Sequence, residues 1–238
     1  MNKLLIIFFF FSTQLIAQIS INKLTNSTLI AKDLLSSKVL TNNDITLGLK
    51  EALAIGVESS VDLTSRKDGF YNNELVKIPF PADAYYAKKT LLKLGMDSKV
   101  LDFEYLLNKA ASEASILAKD IFLNEISNIK MNDAIAILDG EDNAATKYLM
   151  LNTSKKLYLK FQPFVDESIK NVNLIKVWSF LILKYNSIPL TKQIELDLSE
   201  YVTKKTIEGL FKLIEIEEKN IRTNSKARVT ENLQRVFK

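Results

Sequence analysis

Ile45, Leu49, Ala52, Leu53, Gly56, Val57 and Val61 stand at offsets of 0, 4, 7, 8, 11, 12 and 16. At 3.6 residues per turn those offsets fall on one side of a helix, so the segment has an apolar stripe that must find a partner. Similar stripes recur to the C-terminus. With only 6 Gly and 4 Pro in 238 residues, turn-rich β architectures lack the residues their hairpins need. An apolar content of 47% is enough for one compact core, and one domain is simpler than two. The chain is therefore expected to be all-α, a single-domain bundle of about seven or eight helices over residues 44–238.

The first helix is expected from Asn43 or Asp44, either of which is a capping residue. A second begins at Ala82 after Pro81 and stops at Gly95. A third runs unbroken from Asp97 to Ile121. A short helix follows from Asn132 to Leu138 and another from about Asn143 to Lys160, while Pro163 starts a helix or kinks one. The run from Asn173 to Leu190 is strongly apolar and is expected to form a buried helix that ends before Pro189. The last long helix is expected from Ser199, with Lys204–Glu208, Glu208–Lys212, Glu215–Lys219 and Glu218–Arg222 as i,i+4 pairs; a terminal helix covers Lys226 to Phe237.

The segment Asp68 to Pro81, DGFYNNELVKIPFP, breaks this pattern. A linker would be polar, whereas Phe70, Tyr71, Leu75, Val76, Ile78 and Phe80 each gain roughly 1.5–3 kcal/mol from burial. An ordered connection laid on the helices is expected, with a lid over a ligand as the alternative. Gly69 is expected to supply a positive φ.

The first residues, MNKLLIIFFFFSTQLIA, carry one lysine, the apolar run Leu4 to Phe11 and a small residue at Ala17. This is the layout of a secretory signal peptide over 1–17, with residues 18–43 a partly ordered lead-in. The apolar run is short of the about 20 residues that span a bilayer, so no stable transmembrane anchor is expected. Export to the periplasm, as a soluble or peripherally membrane-associated protein, follows as the expectation.

The chain contains neither Cys nor His. Their absence removes disulfides, thiol nucleophiles, Cys/His zinc sites, Ser-His-Asp triads, His-ligated haem and imidazole pH switches. No cofactor is implied by what remains. The formal charge is +4, and loss of Lys3 with the leader leaves 31 basic against 28 acidic side chains. Nucleic acid is a poor first partner for an exported protein so mildly basic. The positive charge is concentrated between Lys219 and Lys238, where six basic residues face Glu231 alone.

Several stretches are familiar together: GLKEAL (48–53), DGFYNNELVKIPFP (68–81), AKDIF (118–122), AILDGEDNAATKYL (136–149), YNSIPL (185–190) and the run from Leu196 to Thr230. They resemble the bacterial family called domain of unknown function 4197. The most specific part is Tyr201-Val202-Thr203, Lys205, Gly209-Leu210-Phe211, Glu217-Glu218, Ile221-Arg222, Asn224 and Ala227-Arg228. The resemblance implies an exported, mostly helical protein, often lipid-anchored, with no established activity to carry over. This chain lacks the anchoring cysteine, which favours a soluble periplasmic form.

The candidate chemistry is sparse. Asp139, Glu141 and Asn143 alternate as the first oxygen ligands of an EF-hand loop do, yet Ala144 and Met150 replace the required Gly and Glu. They offer a weak cation site or simply a capped turn. Ser127 and Lys130 fit S-x-x-K without its partner motifs, and Tyr201 and Lys205 have Y-x-x-x-K spacing without a dinucleotide loop. Adjacent acids such as Asp166-Glu167 and Glu217-Glu218 point about 100° apart on a helix. Trp178, Phe180, Phe161, Phe164, Tyr185 and Phe211 either line an apolar cavity or fill the core.

Lys205, Arg222, Arg228 and Arg235 are the candidate anion- or partner-binding residues. Three functions stay open: a non-catalytic binding protein for an envelope protein, lipid or anionic surface; a hydrolase using carboxylates with Lys or Arg; and a structural envelope component. Oligomeric state is not legible.

Overall fold

The stripe from Ile45 becomes helix α1, Asn42–Thr64, on which Leu49, Leu53, Val57 and Val61 are at most 2% exposed. This computed structural model describes residues 40–238; the expected leader and most of the lead-in lie outside the described residues. A 3-10 turn at Ala82–Ala84 follows, then α2 (Tyr85–Lys93), α3 (Asp97–Ser115), α4 (Ala118–Ser127) and α5 (Met131–Leu138). The rest is α6 (Ala144–Asn171), α7 (Leu174–Asn186), α8 (Leu198–Thr223), a 3-10 turn at Ser225–Ala227 and α9 (Glu231–Val236). The described residues thus form an all-α domain of nine helices without a strand.

Helix α1 is central, packed against α4, α5, α8 and α9, while α8 also covers α6. On α6, Leu149, Leu157, Phe161, Val165 and Ile169 are all buried, at the four-residue spacing of one helix face. That face explains why Pro163 neither starts nor ends a helix: α6 runs through it. Burial on both sides outweighs the about 3 kcal/mol that an interior proline costs.

The expected helix from Asp97 to Ile121 is instead two. The break falls at Ile116 and Leu117, which are exposed, just after Ser115 Oγ donates to the Ser112 carbonyl at 2.9 Å. Such a hydroxyl competes with the backbone ladder and favours a helix end. The expected apolar stripe ran on through Leu117, but Leu117 and its neighbour Ile116 had no core to enter. Helix α8 begins at Leu198, with the Asp197 carboxylate accepting from the Glu200 N–H at 2.9 Å as its cap. The expected terminal helix is divided into the second 3-10 turn and the shorter α9.

The segment 68–81 is pinned to the bundle. The buried Asn108 amide on α3 accepts from Ile78 N–H at 2.7 Å and donates to Ile78 C=O at 2.8 Å, as a neighbouring strand would. Ser112 Oγ accepts from Phe70 N–H at 3.1 Å, and Tyr201 Oη donates to the Pro79 carbonyl at 2.9 Å. Phe70, Val76, Ile78 and Phe80 are buried, whereas Leu75 is 54% exposed, contrary to its expected place in the core. Gly69 does not have the positive φ; Asp68 does, at 59°. Gly69 is needed for space, since a Cβ there would lie 2.3 Å from the Thr64 carbonyl oxygen.

Candidate functional site

All four candidate cations are engaged by the protein's own backbone or acids. Arg222 is 9% exposed, and its Nε donates to Glu218 Oε1 at 2.9 Å. Its two Nη atoms donate to the carbonyls of Leu138 (3.0 Å) and Ile137 (2.9 Å), at the end of α5. The Ile137 carbonyl also accepts from the Gly140 N–H at 3.2 Å, and the planar guanidinium completes the C-terminal cap by reaching both carbonyls. Glu218 in turn accepts from the N–H groups of Ala145 (2.9 Å) and Thr146 (2.7 Å) in the first turn of α6. One ion pair on α8 thereby caps the end of α5 and the start of α6. Arg228 caps α8 itself by donating to the carbonyls of Ile221 and Arg222, and Arg235 reaches Asp44 at 3.4 Å.

Lys205 is elsewhere. It stands 17 residues before Arg222 on α8, about 26 Å along the axis at 1.5 Å per residue, so the fold does not bring the four cations together. Its ammonium pairs with Glu208 at 2.6 Å. Beside it lies a groove of about 190 Å³ lined by Leu75, Val76, Lys77, Ile78, Pro79, Lys205, Glu208, Gly209 and Lys212. Lys77 rests 4.1 Å over the Tyr71 ring and is 4.0 Å from Glu74. Among the described residues Lys212 makes no hydrogen bond or ion pair, and the three lysines line the groove together with Glu208, Leu75, Val76, Ile78 and Pro79. Gly209 permits this lining: a Cβ there would meet Phe70 Cε1 at 3.0 Å and Val76 Cβ at 3.2 Å.

Sequence reasoning missed Lys77 and Lys212. Lys205 and Lys212 are seven residues apart, two turns along one helix face, which was a legible signal. The contribution of Lys77 depends on the seating of 68–81 against α8, which no local pattern encodes.

At the groove's edge, burial pushes the Tyr201 phenol up to about 12, aided by the charges of Glu208, Asp83 and Glu104. A Y-x-x-x-K oxidoreductase requires the opposite shift. Tyr201 is a neutral hydrogen-bond donor here, holding Pro79. Ser127 of the S-x-x-K pattern donates to the Asn124 carbonyl at 2.6 Å instead of meeting Lys130.

In the DGEDN turn, Glu141 pairs with Lys147 at 2.5 Å, which holds its carboxyl below the usual range. The Asn143 amide donates to Glu215. Asp139 is the C-cap position of α5, and its N–H donates to the Ile135 carbonyl. The Glu141 and Asn143 side chains thus bond to different neighbours, and no group of three or more acidic side chains suited to a metal occurs among the described residues.

The aromatic residues are largely core. Trp178 stacks on Phe103 at 4.9 Å and tilts on Phe80 at 6.0 Å; Phe211 meets Phe122 edge-on at 5.2 Å. Phe180 instead faces outward. A larger open groove, about 610 Å³, is lined by Asp83, Tyr86, Tyr185, Lys192, Gln193, Ile194 and Glu195.

No curated protein and no solved structure matches the chain. Residues 39–238 match the family described as protein of unknown function, DUF4197. The match covers the whole helical domain, including the Glu218–Arg222 corner and the lysine groove, and the chain belongs to that family.

Proposed function

We propose that this chain is an exported, non-catalytic binding protein that takes a carboxylate-rich partner between Lys77, Lys205 and Lys212. The observation that carries the reading is the groove itself. It gathers three ammonium groups over apolar surface, while the guanidinium groups of Arg222 and Arg228 already serve backbone carbonyls. Ammonium groups suit carboxylates approached from several directions, because their three donors rotate freely. Export rests on the leader-like residues 1–17. Among the described residues no helix is long and apolar enough to cross a membrane.

The test is a fluorescence-anisotropy titration of a labelled hexaglutamate peptide. Saturable binding that weakens with salt is expected, with at least a tenfold loss in Lys205→Glu/Lys212→Glu at an unchanged melting temperature. Absence of saturable binding at low salt, or equal binding by the double variant, refutes the reading.

The larger groove favours a second reading, a hydrolase, because Asp83 and Glu195 share it with Lys192. Turnover of a p-nitrophenyl ester or phosphate that is lost in Asp83→Asn or Glu195→Gln would support it.

A further inference from the structure

Helix α7 was expected to be buried, but only one side of it is. Leu174, Trp178, Leu181 and Tyr185 enter the core, whereas Ile175 is 51% exposed, Phe180 40% and Leu183 69%. Lys176 and Lys184 are exposed among them, the Lys184 ammonium 5.9 Å from the Phe180 ring centre. At 100° per residue, Leu183, Lys176 and Phe180 fall opposite the buried stripe, with Ile175 and Lys184 on its flanks.

Just beyond the helix, Leu190 is fully exposed at a φ of 67°, a conformation a leucine rarely adopts. The turn is held there: Thr191 Oγ1 bonds to the Ile188 carbonyl at 2.9 Å and the Tyr185 carbonyl at 3.3 Å. From Ser168 to Ile194 the sequence contains four lysines and no acidic residue. Apart from the neutral Ser179 and Asn186, the exposed side chains of α7 are apolar or cationic. The acids that bracket this stretch are Glu167 and Glu195, and Glu195 lines the neighbouring groove with Asp83 and Lys192.

We propose that the outer face of α7, with Leu190 at its end, seats the protein on an anionic phospholipid surface. Ile175, Phe180, Leu183 and Leu190 enter the headgroup boundary, and Lys176 and Lys184 meet lipid phosphates. This is the composition of an interfacial helix: bulky apolar side chains, lysines beside them and no carboxylate to be repelled. A second copy of the chain fits less well, since a two-fold contact would set each lysine face against its own like charges. This surface is independent of the groove at Lys77, Lys205 and Lys212.

The experiment is vesicle co-flotation of the chain from Gln18 onward, without the apolar run Leu4 to Phe11. Vesicles of phosphatidylcholine alone are compared with vesicles containing phosphatidylglycerol. Binding to the anionic vesicles alone is expected, weakened by salt and reduced roughly fivefold for each lysine removed in Lys176→Ala and Lys184→Ala. Leu183→Ser/Leu190→Ser, two exposed positions, is expected to reduce binding at least tenfold with unchanged helicity. Both variant sets retain hexaglutamate binding, which separates this inference from the lysine groove. No flotation with anionic vesicles overturns the proposal, as does equal flotation of the lysine variants. A concentration-dependent dimer abolished by Leu183→Ser/Leu190→Ser reassigns the face to a second copy and also overturns it.

Discussion

Arg222 Nε lies 2.9 Å from Glu218 Oε1, both on α8, and the pair holds together the corner where α5 ends and α6 begins. Removing Arg222 leaves the Glu218 charge buried and takes a donor from the Leu138 carbonyl, and removing Glu218 leaves the Arg222 charge without its partner and takes the acceptor from the Ala145 and Thr146 N–H groups. Such a break costs about 3–5 kcal/mol. At roughly 2–4 °C per kcal/mol for a domain of this size, Arg222→Ala and Glu218→Ala are each expected to lower the melting temperature by about 6–20 °C. Arg222→Lys is not expected to restore it, because an ammonium cannot present a planar fork. Lys205→Ala should change stability by no more than the about 0.5 kcal/mol of a surface substitution. Equal shifts for Arg222→Ala and Lys205→Ala would contradict the assignment.

Asn108 fixes the segment 68–81 through both polar groups of Ile78. Asn108→Ala leaves a buried N–H and a buried carbonyl unpaired, at about 1–3 kcal/mol each. The variant is expected to melt earlier and, by hydrogen exchange, to lose protection at Ile78. A mobile lid would show no slow exchange at Ile78 even in the unchanged protein.

Glu125 is 8% exposed, and its burial disfavours the charged form; Lys156 at 2.6 Å and Lys160 at 3.5 Å outweigh that and hold its pKa below 4.5. A carboxyl with a lowered folded pKa stabilises the fold above its unfolded value and ceases to do so as pH falls through the folded one. Stability is therefore expected to decline below about pH 4.5. In Glu125→Gln that part of the decline disappears. A chemical-denaturation series from pH 6 to pH 3 checks it, and identical pH slopes for the two proteins would count against the pairing.

Tyr148, through its bond to Asp133, and Tyr201, through burial, are both pushed up to about 12. The raised values favour the folded state fully below pH 10, and this contribution fades as pH rises toward 12. Absorbance titration at alkaline pH should show a late phase that Tyr148→Phe and Tyr201→Phe each reduce. A single transition near pH 10 for all eight tyrosines would contradict this.

The architecture was legible wherever one face of a helix met the core, as at Leu49, Leu53 and Val57. It was misread where tertiary packing overrode a local rule. The helix expected to end near Lys160 runs on through Pro163 because Phe161 and Val165 are buried around it, and the 97–121 pattern breaks because Ile116 and Leu117 face solvent. Of the expected i,i+4 pairs, Glu218–Arg222 forms, while Lys204 turns back to Glu200 and Lys205 to Glu208. Spacing alone does not choose among neighbouring carboxylates. The candidate site was half legible: Lys205 lines the groove, but an arginine's sequence position does not reveal whether its fork points to solvent or to helix-end carbonyls.

Lysine acetylation footprinting of the folded protein, with and without the hexaglutamate peptide, tests the central claim most directly. The account predicts slower modification at Lys77, Lys205 and Lys212 when the peptide is present, and unchanged rates at Lys226 and Lys238. Protection confined to Lys226 and Lys238, or no protection at the groove, would contradict it.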